Sequence, residues 1–180
     1  MGKIFPKTNE AVLEFVLEWV DLLAAREIEK ALKLIRNRER PRKLYGFQKF
    51  QAMLGLKEKP APFIYTPDWI SKAISGYGNV DEPKDFWVTD PTSPTGNSAR
   101  KALENEAARN DDDETESFVH PLYPIAVYWY RDASDEVGEY LGFVHLDYPL
   151  NGKWSDLSSV FDIYAVDGGV TLELERIEVM

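Results

Sequence analysis

The chain has 180 residues, 44% of them hydrophobic and 13% aromatic, which fits one globular domain burying roughly 70% of its unfolded surface and excludes a disordered or fibrous chain. No run approaches the roughly 18 consecutive apolar residues of a membrane helix, and the amino terminus leads into a stretch carrying Glu10, Glu14, Glu18 and Asp21, so neither a membrane span nor a secretion signal is expected. With no cysteine there is no disulfide framework, thiolate nucleophile or Cys-type metal site, and a reducing cytoplasm is the expected compartment.

The formal charge of -10 is unevenly spread: residues 1–60 carry 13 Lys/Arg against 8 Asp/Glu, and residues 61–180 carry 8 against 23. The acidic total argues against nucleic acid as a partner, because most of the surface repels a phosphate backbone.

Thr8 or Asn9 caps a first helix, whose stripe is Val12, Phe15, Val16, Trp19, Leu22 and Leu23. Ile28, Ala31, Leu32 and Ile35 form a second, with Lys30, Lys33 and Arg36 in its last turns and Pro41 as its stop. Thr66-Pro67-Asp68 starts a third that ends near Gly76 and buries Trp69, Ile70 and Ile74.

Beyond residue 80 the pattern turns to strands and turns, which predicts an α+β domain with helices first and sheet later. Residues 90–97 read as loop, and 104–116, with seven acids and one arginine, as an acidic loop insert. Strands follow over Pro124–Tyr130, Glu139–Leu150, Lys153–Val166 and Val170–Val179.

Asn151-Gly152 is a strong hairpin turn signal. Counting outward from Leu150 opposite Lys153 places Tyr140, Gly142, Val144 and Leu146 on one face with Leu157, Ser159, Phe161 and Ile163. The other face then holds Leu141, Phe143, His145 and Asp147 with Asp156, Ser158, Val160 and Asp162. Ile177 and Val179 have the opposite parity to Leu172 and Leu174, so a bulge is expected near Glu175-Arg176.

Two amino-terminal helices, a short third with Trp69 and Gly76, and a long curved sheet resemble the nuclear-transport-factor-2-like superfamily, the cone fold of ketosteroid isomerase and polyketide cyclases. The carboxyl-terminal motifs, Gly142 to Leu157 (GFVHLDYPLNGKWSDL), Phe161-Asp162 and Leu174 to Met180, resemble a group of uncharacterised bacterial proteins within it, as do Thr66-Pro67-Asp68 and Ala73 to Gly78. The resemblance implies a single domain over 1–180: a cone of three helices packed on a curved, mostly antiparallel sheet. It implies no activity, and no catalytic residue of the superfamily's enzymes has a counterpart motif here.

On that counting Asp147 faces Asp156, with His145 and Asp162 on the same face. These four are the catalytic candidates, since two close carboxylates split their pKa values into an acid and a base, or else hold a hard cation. A wider loop would instead splay both acids into water. The same mixed face, with Leu141, Phe143, Val160 and Tyr164, suits a homodimer interface. Trp19, Tyr65, Trp69, Tyr128, Trp129, Tyr140 and Phe161 either line a pocket for a small apolar ligand or fill the core, and Tyr128, His120 or Asp162 would orient such a ligand. His120 precedes Pro121 and reads as a loop residue. Two histidines without metal-ligand spacing predict no transition-metal site, and the absence of nucleotide and nucleophile-elbow motifs predicts no cofactor and no hydrolase serine.

The basic run Arg36, Arg38, Arg40, Arg42 and Lys43, followed by Tyr45, Phe47 and Phe50, offers charge and stacking to nucleic acid or an acidic partner, but the acidic total favours pairing with the chain's own 104–116 or plain solvation. The expected function is a non-catalytic binding or interaction protein: immunity-like or scaffold against a basic protein partner, or a small-ligand carrier. The alternative is a lyase or isomerase using an apolar cavity and a carboxylate.

Overall fold

A computed structural model describes residues 2–39, 46–55, 61–77, 85–91, 97–110 and 114–179. The expected stop at Pro41, the basic residues Arg40, Arg42 and Lys43 with Tyr45, the side chain of Phe47, and Asp111 to Asp113 lie outside the described residues, as do residues 92–96 of the loop.

Helix α1 spans Asn9–Ala24, and its Thr8 cap accepts a hydrogen bond from the backbone N–H of Ala11. Its buried stripe is Val12, Leu13, Phe15, Val16, Trp19, Val20 and Leu23. Helix α2 covers Ile28–Leu34 and stops one residue before Ile35, whose backbone is extended. Arg36 is therefore not in the helix: its N–H donates to Leu172 O at 2.7 Å, so chain departing from α2 joins a sheet edge. Helices α3 and α4 span Gly46–Met53 and Pro67–Ser75, the latter capped by Thr66 and ending at Gly76 as the sequence indicates.

Asn97–Asn110 form helix α5, which takes in the first part of the expected acidic loop insert at 104–116. Its apolar content is low, but Leu103 and Ala107, four apart, are buried against Ala126 and Tyr128, and Arg100 pairs with Glu104 one turn on. The acidic segment is thus helix to Asn110 and strand from Thr115 among the described residues.

The five strands β1 Thr115–Val119, β2 Ile125–Tyr130, β3 Tyr140–Leu150, β4 Lys153–Val166 and β5 Gly169–Val179 form one antiparallel, curved open sheet in chain order. α1, α2 and α4 cover one face, building the main core with Val144, Leu146, Phe161, Ile163, Leu172 and Leu174; α5 crosses the other at Ala126, Tyr128 and Phe143.

Three irregularities bend the sheet. At the β3–β4 turn Asn151 and Gly152 both have positive φ, and Leu150 faces Lys153. Pairing then shifts, so that Asp147 faces Ser158, and Ser155, Asp156 and Leu157 together oppose Tyr148. At the far end Leu141 is bulged: it turns into the main core, and Tyr140 moves to the outer face opposite Tyr164. Gly142 next to it has φ +152°, and an added Cβ there would lie 1.9 Å from Tyr128 O, so only glycine fits. On β5 the expected bulge is present: Val160 pairs with Arg176 and Phe161 with Leu174, leaving Glu175 extra. The β5 edge is covered by the Phe5–Val170 bridge, by Arg36 at Leu172 O and by Tyr65, whose hydroxyl donates to Glu175 O at 2.5 Å.

Candidate functional site

The two-residue shift preserves strand parity, so the membership of the two sheet faces follows the sequence count except at Tyr140 and Leu141, while the cross-strand partners do not. Asp147 and Asp156 do not oppose each other. Ser155 makes the difference: its hydroxyl donates to Tyr148 O at 2.9 Å and accepts the Leu157 N–H at 3.2 Å, holding the two extra residues in place. Asp156 turns outward and takes the Tyr77 hydroxyl proton in a hydrogen bond, which pushes the Tyr77 pKa up. Opposed carboxylates at this position would repel one another; a serine hydroxyl opposite Asp147 donates instead.

Asp147 is the hub of a buried polar cluster. His145 Nε2 stands 3.1 Å from its Oδ1, and Ser158 Oγ donates to the same oxygen at 2.5 Å. Glu106 of α5 approaches His145 Nδ1 at 4.0 Å. A nucleophilic triad needs the imidazole between the hydroxyl and the carboxylate; here the carboxylate stands between hydroxyl and imidazole. The order serves hydrogen-bond satisfaction, with Ser158 fully buried and His145 4% exposed. Asp147→Asn replaces a charged acceptor of two hydrogen bonds and should lower stability by about 1–3 kcal/mol, whereas Asp156→Asn, at an exposed site, should change it by less than about 1 kcal/mol. Comparison of urea midpoints checks the pair, and a gain for Asp147→Asn would contradict this hub.

Asp162, fully buried, lies opposite Phe143 on one side and Glu173 on the other. Glu173 is held by two guanidinium groups, that of Arg36 and that of Arg38, the latter at 2.8 Å, and Arg36 also stacks over the Tyr164 ring at 4.8 Å. Tyr140 sits beside Tyr130 and Tyr164, and burial, followed by the Asp162 charge, raises its pKa. The four catalytic candidates thus fall in three places: His145 with Asp147, Asp162 with Glu173, and Asp156 at the surface. Arg36 and Glu173, which organise this face, were missed as a pair because they lie in distant elements of opposite charge with no local signature.

The seven pocket candidates also divide. Trp19 and Phe161 are fully buried and meet edge to face at 5.3 Å. Trp19 Nε1 donates to the Tyr148 hydroxyl at 2.8 Å, which lies 2.6 Å from Ser159 Oγ; burial raises the Tyr148 pKa. Tyr65 packs edge-on against Trp69, with ring centres 4.8 Å apart, toward the β5 edge. Trp129 donates to Asn9 Oδ1 at 2.7 Å. Tyr128 stacks on Phe143 under α5, and Tyr140 joins the outer tyrosines. They fill both sides of the sheet and do not converge on one pocket. His120 holds the β1–β2 connection, its Nδ1 accepting the backbone N–H groups of Leu122 and Tyr123 at 3.0 and 3.1 Å, and burial lowers its pKa.

The mixed face named for a second copy is covered in part within the chain, while Tyr140 and Tyr164 stay half-buried. Phe143 lies against α5, and Val160, Asp162 and Glu173 are buried.

What the fold leaves outward is an acidic sheet end. Glu114 and Glu116 flank the start of β1, and Arg131 N–H bonds to Glu114 O at 2.8 Å, which brings the β2–β3 loop alongside. That loop exposes Asp132, Asp135, Glu136 and Glu139 around Val137, which is 72% exposed, with Tyr130 at its base. Its basic contacts are Arg131 and Lys7, which pairs with Asp135 at 2.5 Å.

The molecule is an α+β protein with helices on both faces of an open antiparallel sheet, and among the described residues no helix is long and apolar enough to cross a membrane and no cluster of three or more metal-ligating side chains occurs. No family model, curated protein or solved structure matches the chain.

Proposed function

We propose that the protein is a non-catalytic binding protein of the nuclear-transport-factor-2-like cone type, immunity-like or scaffold in character, whose acidic sheet end takes a basic protein partner. One observation carries the reading: four exposed carboxylates surround exposed Val137 on the loop at residues 131–139, next to Glu114 and Glu116. An apolar centre with a charged rim is the anatomy of a protein contact, and uniform charge speeds encounter with an oppositely charged surface. The cone reading is supported by the helices on one face and by bulges at Leu141 and Glu175 that curve the sheet. The polar groups that a lyase or isomerase would need are buried and bonded to each other: Asp147 accepts from Ser158 and neighbours His145, and Glu173 holds two arginines.

Cross-linking of the tagged protein in cell extract, read by mass spectrometry, tests this. The expected result is a basic protein joined through residues 131–139 and lost in the Glu136→Lys/Glu139→Lys double variant. Capture that is indifferent to both charge reversals, or capture of acidic proteins only, would refute it.

A further inference from the structure

The two edges of the sheet differ. The β5 edge is covered by the Phe5–Val170 bridge, by Arg36 and by Tyr65. At the other edge stands β1, and among the described residues no strand lies beyond it. The bonds at its two ends fix which way its backbone points: Arg131 N–H donates to Glu114 O and His120 N–H donates to Ile125 O, both at 2.8 Å. Hydrogen-bonded positions alternate along an antiparallel pair. Glu114, Glu116, Phe118 and His120 therefore turn their backbone groups toward β2, while Ser117 and Val119 turn theirs outward. Neither of these two makes a backbone bond to another element among the described residues. Helix α5 lies across the outer face instead, where Ala107 O accepts from the Ser117 hydroxyl and Glu106 reaches toward His145 on β3.

An outward row of N–H and C=O groups is a template for one more strand. The side chains that such a strand would meet follow from the same alternation. Glu114, Glu116 and Phe118 share one face; both glutamates are exposed, and Phe118, partly buried, packs against the main core. On this edge they take the non-hydrogen-bonded positions, where opposed side chains approach most closely. The loop at residues 131–139, with its four carboxylates, stands past the Glu114 end. We infer that the basic partner is held by strand addition: an extended segment of it pairs antiparallel with β1, with Lys or Arg opposite Glu114 and Glu116 and an apolar residue opposite Phe118. This inference rests on the acidic sheet end taking a basic protein and gives the way that protein is held. Main-chain bonds to Ser117 and Val119 supply affinity, and the alternate side chains supply specificity.

Fluorescence anisotropy of labelled peptides titrated with the full chain tests this. The probe is the capped peptide Thr-Val-Thr-Lys-Thr-Lys-Thr. Paired antiparallel, its valine falls opposite Phe118 and its lysines opposite Glu116 and Glu114, and its first two threonines face Val119 and Ser117. Backbone N-methylation of those two threonines removes the donors aimed at β1 and should weaken binding about tenfold or more. Backbone N-methylation of the valine and the first lysine, whose N–H groups point away from β1, should leave it within about twofold. Glu116→Lys, at an exposed side chain, should weaken the unmethylated peptide roughly fivefold with the circular-dichroism melt unchanged. Equal binding of the two methylated forms overturns strand addition in favour of charge attraction alone, and binding indifferent to Glu116→Lys overturns the register. No binding of the unmethylated peptide at low salt overturns the inference altogether. The acidic-end reading fails separately: a basic protein from extract that still cross-links at 131–139 keeps that reading when the peptides fail, and loss of both removes it as well.

Discussion

Replacing Trp19 with alanine should cost about 3–5 kcal/mol, the range for removing a fully buried large aromatic, and lower the melting temperature by about 10 °C for a domain of this size. The indole is fully buried, meets Phe161 edge to face, and donates to the Tyr148 hydroxyl, which is shared with Ser159. Trp19→Phe separates the two contributions. It retains much of the apolar volume but removes one hydrogen-bond partner of the buried hydroxyl, and should cost about 1–3 kcal/mol. The same network sets an alkaline limit. Tyr148 has its pKa raised above the ordinary 10.0 by burial, so the folded state favours the neutral phenol. Stability from this group is complete below pH 10 and falls as pH rises past it, because the unfolded chain ionises there first. Ultraviolet titration should find Tyr148 ionising only together with unfolding; ionisation in the intact fold near its ordinary value would contradict the burial of this hydroxyl.

Arg36→Ala should lower stability by about 3 kcal/mol, at the low end of what removing one partner of a buried ion pair costs, since Arg38 remains. Glu173 is 2% exposed at its side chain and lies opposite buried Asp162, so its carboxylate depends on the cations that reach it. Arg38 reaches the same oxygen from a 57% exposed position, and Arg38→Ala should cost less than about 1 kcal/mol, the usual worth of an exposed pair. Arg36→Lys should fall between them, because it keeps the charge but loses the planar stacking on Tyr164. Urea midpoints at low and high salt distinguish these outcomes: the Arg36 effect should persist in salt and the Arg38 effect should fade. Equal losses for the two alanine variants would show that Glu173 is not held chiefly by Arg36.

Local sequence signals carried α1, α4, four strands and both ends of the β3–β4 hairpin. Thr8 and Thr66 cap the helices they start, and Asn151-Gly152 adopts the positive backbone angles that only such residues tolerate at a turn. The parity argument at Ile177 placed a bulge near Glu175-Arg176, and the extra residue there is Glu175. In each case the cause is short-range: a cap, a turn or an alternation is written within a few residues.

Tertiary structure decided the rest. Residues 97–110 carry mostly charged and small side chains, and 104–110 read as part of an acidic loop, until Leu103 and Ala107 find Ala126 and Tyr128 on a distant strand. β1 follows an acidic run that masks it, and forms because β2 offers a partner edge. The pairing of Asp147 with Ser158 depends on a bulge of two residues, a shift that leaves face and alternation unchanged and so leaves no trace in the pattern. The sequence by itself determined which side chains face which side of the sheet, with Tyr140 and Leu141 as the exception, because parity is a property of each strand alone. Which of them touch was decided only by folding. Cross-strand partners, the joining of Arg36 to Glu173 over 137 residues, and the packing of α5 on Ala126, Tyr128 and Phe143 all depend on how separate elements stack.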